Sequence, residues 1–218
     1  MKHNQIKKLT VLAMLAALAY VLLVVARIPV IMFLKYEPKD VLITFGGFLY
    51  GPVASLAVSA VVSLIEMITI SDTGWIGFVM NVLSTAAFAC TAALVYQRKH
   101  TLGGAVIGLI LGSILMTVVM LLWNYLLTPL YMNTPRADVA AMLVPVFLPF
   151  NLLKASLNSA LTILLYRPLV QGLRRANLFP QSISQTKTST GSKLLVWVIS
   201  AAILVAGALL IIFREQVF

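Results

Sequence analysis

Charge is scarce in this chain, and acidic charge scarcer still. Only 10% of the 218 residues are Asp, Glu, Lys or Arg, six of them acidic against sixteen basic. Soluble domains carry about 25% charged residues, so a water-facing globule is excluded. The single cysteine, Cys90, offers no disulfide and no CxxC redox or zinc pair. Set in an apolar run, it reads as a small buried residue. The two histidines, His3 and His100, fall at a terminus and in a loop. No HExxH zinc site and no Ser/His/Asp triad can be built from them. The chain has no GxxxxGK[ST] phosphate loop, so it does not hydrolyse ATP by that route. A voltage-sensing arginine series and a TVGYG filter are also missing. A binder or carrier remains, rather than an enzyme, with no metal and no cofactor of its own.

What is abundant is apolar. Hydrophobic residues make up 61% and mean hydropathy is +1.02, as in a polytopic membrane protein. The net charge of +10 follows from basic cytoplasmic loops rather than from nucleic-acid binding. The N-terminal MKHNQIKK precedes an apolar run longer than the 7–15 residues or so of a signal h-region. It reads as a retained first helix with its N-terminus in the cytoplasm.

The expected fold is all-α, with six membrane helices and a seventh near the C-terminus. Helix 1 runs about Leu9 to Ala26, with Ala13 and Ala17 as a small-xxx-small pair that admits another helix closely. Arg27 to Lys39 reads as an irregular connection able to fold over a pocket mouth. Val41 to Ile70 holds a short helix 2, a turn at Tyr50-Gly51-Pro52 and helix 3. Glu66, near the end of helix 3, reads as an interfacial residue pairing locally. Helix 4 covers about Ile76 to Tyr96, and helix 5 about Gly103 to Leu127. The segment from Pro129 to Arg136 is expected to break the helix. Helix 6 runs from Phe147 to about Leu173, with Pro145 and Pro149 at its entrance. Three regions follow: a membrane core over 1–173, a polar cytoplasmic linker over 174–193, and an extra segment over 194–218 with a seventh span at Leu194–Phe213. With the N-terminus inside, the inside segments hold 10 basic residues and the outside segments 5. That asymmetry orients the connection after helix 1 outward.

Helix 6 carries Asn151, Lys154 and Asn158 within roughly 60° of one another, on one face. An ionisable residue costs at least about 2.5 kcal/mol in a membrane helix, so this face looks inward. It either glues helices together, with Lys154 paired to a carboxylate, or it lines a site. Two functions fit a site. In the first, helices 4–6 and the first connection enclose a planar heteroaromatic molecule between Asn81, Asn124, Asn151, Asn158 and Lys154, with Trp75, Trp123, Tyr125 and Tyr131 as flat surfaces. Alternatively, Lys154 and Glu66 pair in an ion-coupled small-molecule carrier or a membrane enzyme; no internal repeat supports a self-contained carrier.

Several stretches carry a family likeness: FLKYEPKDVLITFGGFLYGP (33–52), the segment 81–119, NYLLTPLYM (124–132) and FLPFNLLKASLNSALTILLYRPL (147–169). Through them the chain resembles the riboflavin-specific substrate-binding (S) components of energy-coupling-factor (ECF) vitamin transporters. The resemblance implies a six-helix core whose outward-facing pocket is covered by the connection after helix 1. It implies vitamin uptake across the cell membrane, energised by two ATPase subunits through a transmembrane coupling subunit. By the same likeness Ala13 and Ala17 dock that coupling subunit. Asn151 and Lys154 meet the pyrimidine side of the flavin, and Asn124 completes the set. Asn81, Leu34, Lys35 and Asp40 follow as pocket lining or ribityl contacts. Another vitamin or flavin remains the alternative ligand. The segment around Glu66 is less like the family, as is the seventh helix.

Overall fold

The computed structural model describes residues 2–32, 34–175 and 190–212. In chain order these form α1 (Lys2–Val25), β1 (Ile28–Ile31), β2 (Leu34–Tyr36), α2 (Lys39–Tyr50), α3 (Pro52–Thr69), α4 (Gly74–Thr85), α5 (Thr91–Lys99), α6 (Leu102–Met132), α7 (Arg136–Met142), α8 (Leu148–Arg175) and α9 (Thr190–Ile212). Wide π-type turns at Ala86–Cys90 and Leu143–Phe147 fuse α4 to α5 and α7 to α8. Five helical stretches are long and apolar enough to cross a membrane: 5–25, 52–69, 74–99, 102–132 and 136–172. The apolar part of α9, Val196–Ile212, is shorter.

The short helix α2 sits in the middle. Every residue from Lys39 to Leu49 is buried, enclosed by α1, α3, α5 and α8. Its 12 residues span only about 18 Å, well short of a hydrocarbon core of about 30 Å. A helix wrapped by other helices does not need to match the bilayer, and it can carry charge at its end. Gly51 terminates it at φ 96°, a left-handed value that glycine takes without steric cost. Pro52 then opens α3 at the position where a missing N–H costs nothing. The expected turn at Tyr50-Gly51-Pro52 is therefore present.

Around α2 the helices present small residues where backbones approach. A Cβ on Gly112 of α6 would lie 2.5 Å from the Phe88 carbonyl oxygen in the first π turn. On α1, Val11, Leu15, Ala19 and Leu23 recur every four residues and are all buried. Val11, Leu15 and Ala19 pack into the cluster of Val41, Ile43, Phe45 and Phe48 from α2. Ala13 and Ala17 lie on the exposed face of the same helix. At one end of the bundle the Tyr96 and Tyr166 hydroxyls pair at 2.8 Å. At the other, Arg27 Nη1 donates to the Ile70 carbonyl at 2.8 Å.

Three expectations need correction. The connection after α1 is a two-stranded antiparallel hairpin, with Ile28 opposite Tyr36; Val30, Leu34 and Tyr36 are buried against Val139, Phe147 and Phe150. The break expected over Pro129–Arg136 falls late in it: Pro129 stays within α6, which runs past Leu127 to Met132 and ends at Asn133 in the left-handed region. Proline is tolerated inside membrane helices because neighbouring groups satisfy the freed backbone. Helix 6 begins at Arg136 rather than Phe147, and Pro145 lies within its wide turn, where a residue without N–H interrupts the regular ladder.

The seventh helix packs on α8. A Cβ on Gly207 would fall 2.5 Å from Leu157 Cδ2, so glycine there sets the close approach. Most of the linker expected over 174–193 lies outside the described residues, as do 213–218.

Candidate ligand-binding site

A cavity of about 270 Å³ opens between the hairpin and the ends of α3, α4, α6 and α8. Its α6–α8 wall carries Met120, Asn124, Phe150, Asn151 and Lys154, its α3–α4 wall Glu66, Met80, Asn81 and Ser84. Met32, Leu34, Lys35 and Glu37 of the hairpin region cover it, beside Arg27, Asp72 and Thr73.

Local structure aims these side chains. Asn151 Nδ2 donates to the Phe147 carbonyl at 2.7 Å, at the last residue of the second wide turn. No donor among the described residues reaches its Oδ1. Asn124 Nδ2 donates to the Met120 carbonyl at 2.7 Å, and its Oδ1 accepts from Thr128 at 3.0 Å. One Nδ2 proton of Asn124 is left over. Lys154 Nζ faces Asp40 Oδ2 at 3.7 Å, a charge contact longer than a hydrogen bond, so its donors are available. The wall thus offers an ammonium, an amide N–H and an amide oxygen.

Below it lies a charge network. Arg27 Nε meets Glu37 at 3.1 Å and Arg27 Nη2 meets Glu66 at 3.7 Å. Lys39 Nζ lies 2.9 Å from Glu37 and also pairs with Glu66. With Lys154 and Asp40 the network has three cations and three carboxylates. Buried charges persist when they are paired and hydrogen-bonded. Burial pushes the Glu37 carboxyl up, but Lys39, Lys154 and Arg27 pull it down further, so it lies below the usual carboxylate range. Burial, and then the Asp40 charge, push the Tyr36 phenol up. It stays protonated and donates to Asn158 Oδ1 at 3.1 Å.

Six of the seven residues expected at a ligand, Leu34, Lys35, Asn81, Asn124, Asn151 and Lys154, come together on this cavity. Asp40 does not line it. It is fully buried behind Lys154 at the start of α2, where a carboxylate suits the helix dipole. There it accepts from Thr85 at 2.7 Å and Asn158 at 3.1 Å. Asn158 therefore joins helices, while Asn151 and Lys154 on the same face look into the cavity. The expected Lys154–Glu66 pair is absent, because Glu66 faces Lys39 and Arg27 instead. Nor is Glu66 interfacial: it is 1% exposed. Trp75, Trp123, Tyr125 and Tyr131 are not among the lining residues; Phe150, Met80 and Met120 supply the apolar surface. Sequence reasoning missed Glu37 and Arg27 as site residues, and weighed Glu66 only as a partner of Lys154. The one available signal was a carboxylate inside an apolar run.

The fold and the site find counterparts among known proteins. The family model for the substrate-specific component of ECF transporters matches residues 7–166. Riboflavin transporter RibU of Staphylococcus aureus (strain TCH60) is 35% identical over 181 residues, covering 79% of this chain and 95% of that protein. Riboflavin transporter FmnP of Bacillus subtilis (strain 168) is 27% identical over 190 residues, covering 80% and 99%. A solved structure described as the S component of a bacterial ECF transporter superposes with a TM-score of 0.67 at 33% identity. It covers 78% of this chain and 99% of that one. The family is one of transport components rather than enzymes, and its multi-pass helical architecture is the one described above. This chain belongs to the substrate-specific (S) components of ECF transporters.

Proposed function

We propose that the chain captures riboflavin in the cavity beneath the hairpin, as the vitamin-specific subunit of an ATP-driven uptake system. One observation carries this reading. Lys154, Asn124 and Asn151 line one wall of the cavity and bring to it an ammonium, a spare amide N–H and an amide oxygen that no donor among the described residues reaches. Two donors and one acceptor on one wall match in kind the carbonyl–imino–carbonyl edge of a flavin, and Phe150, Met80 and Met120 suit its rings. The relatives named as riboflavin transporters support the same ligand.

The hairpin covers the cavity, whose volume falls just under the roughly 300–1,000 Å³ of pockets holding drug-sized ligands. Entry of a tricyclic ring then requires the hairpin to lift. The excess of basic residues at the opposite end of the bundle orients the hairpin away from the cytoplasm. A transmembrane coupling subunit docks on the exposed face of α1 at Ala13 and Ala17, and two ATPase subunits supply the energy. The ion-coupled alternative rested on a Lys154–Glu66 pair, and those residues have other partners.

The test is a titration of riboflavin with the detergent-purified chain, followed by flavin fluorescence. Saturable quenching near one flavin per chain is expected. Folded protein that leaves the fluorescence unchanged overturns the assignment.

A further inference from the structure

The helix α9 lies beyond residue 166, where the family match ends, and none of its described residues lines the cavity. One stripe of it faces the core. Ser200 and Gly207 are buried and Leu204 and Ile211 half-buried, while Val205 and Ala208 are exposed. Positions three or four residues apart share one helix face. Gly207 seats that face: a Cβ there would lie 2.5 Å from Leu157 Cδ2 and 3.3 Å from Leu153 Cδ1 of α8. Leu204 and Ile211 pack against the apolar cluster that holds Leu157, the cavity-lining Phe150 and the hairpin's Val30, Leu34 and Tyr36. The helix α9 therefore backs the seat on which the hairpin closes.

The hairpin needs such a seat. Its strands have four and three residues, with a register shift between Pro29 and Ile31, and a two-stranded hairpin alone is marginal. Polar ties hold part of it: Lys35 to Asp72, Glu37 to Arg27 and Tyr36 to Asn158. Its apolar residues depend on the cluster. Inside a bilayer no hydrophobic force presses α9 onto α8; close packing holds the two together. A densely packed cluster passes a displacement on to its neighbours. We propose that α9 is a brace for the hairpin: seated at Gly207, it keeps the hairpin closed and lengthens the time a ligand stays in the cavity. The effect on residence time rests on the riboflavin reading; the brace itself does not.

The experiment uses the purified full chain and displaces α9 without removing it. Gly207→Leu drives a side chain against Leu157. Ala208→Leu adds a leucine one residue on, at an exposed position, and is the control. Hydrogen exchange without ligand, read by mass spectrometry, compares the hairpin strands (28–31 and 34–36) with α2 (39–50). In Gly207→Leu the hairpin amides should exchange about tenfold faster, a loss of about 1.4 kcal/mol in the closed hairpin. The α2 amides should stay within about twofold of wild type, and Ala208→Leu should match wild type in both regions. Bound riboflavin, followed by the return of its fluorescence on dilution, should leave Gly207→Leu about tenfold faster. If the leucine variant does not fold, Gly207→Ala intrudes less and gives the same comparison with smaller changes. Unchanged hairpin exchange in folded Gly207→Leu overturns the brace. So do equal increases in the hairpin and α2, which mark general loosening, and equal effects of the two leucine variants, which mark bulk alone. Faster hairpin exchange with unchanged riboflavin release overturns the control of residence time. A folded wild type that binds no riboflavin overturns the flavin reading, and the exchange rates still decide the brace.

Discussion

Asn158 donates its amide to the Asp40 carboxylate at 3.1 Å across 118 residues of sequence. The same amide accepts from Tyr36 through its oxygen. One side chain of α8 thereby ties the start of α2 and the hairpin to the wall that carries Lys154. Asn158→Leu strips both partners of a bond in a buried setting, which costs about 1–3 kcal/mol. Thermal unfolding of the detergent-solubilised variant should show a clear loss. An unchanged midpoint would remove Asn158 from the joint.

Lys154 and Asn151 stand about one and two turns before Asn158, line the cavity, and should behave differently. Lys154→Ala and Asn151→Ala are expected to weaken riboflavin about 10- to 100-fold with the protein still folded. Asp40 keeps Thr85 and Asn158 as donors when Lys154 is gone, so the loss of stability should be smaller than in Asn158→Leu. Variants that bind as tightly as wild type would overturn the ring-edge assignment.

Glu37 makes stability depend on pH. Its folded carboxyl titrates below the ordinary value of 4.5, so the unfolded chain binds the proton more readily. The stabilisation is then fully present above pH 4.5 and is lost as pH falls through the depressed value. Melting curves from pH 6 downward should show the loss beginning below 4.5. Glu37→Gln should be less stable at neutral pH and flatter across that range. A parallel slope in the variant would assign the acid sensitivity to other groups.

Ala13 and Ala17 lie outward on α1, away from the cavity. Ala13→Leu with Ala17→Leu should leave riboflavin quenching within about twofold of wild type, as distant sites act independently. Co-purification with the coupling subunit should fall sharply. Full recovery of the assembly would show that another face is used.

The parts of this site that could be read from sequence are those carried by one helix. Asn151, Lys154 and Asn158 share a face whatever surrounds them, and Gly51-Pro52 marks a turn by local geometry. Glu66 was misread because its partners arrive from elsewhere: Lys39 from α2, Arg27 from the end of α1, Asn81 from α4. Asp40 was placed at the ligand for the opposite reason, since sequence proximity to the hairpin says nothing of a neighbour such as Thr85 standing behind it. The hairpin itself has only seven paired-strand residues, and its strands are held by Val139, Phe147 and Phe150 rather than by their own propensity.

The enclosed α2 also bears on how the protein is made. A 12-residue helix that begins with Lys39 and Asp40 is too short and too charged to rest alone in lipid. Its neighbours emerge from the ribosome in order: α1 before it, α3 and Glu66 soon after, α8 with Lys154 and Asn158 more than a hundred residues later. Until α8 is inserted, Asp40 lacks both its amide donor and the Lys154 ammonium. The charged start of α2 is therefore fully paired only once α8, the last helix of the core, closes around it.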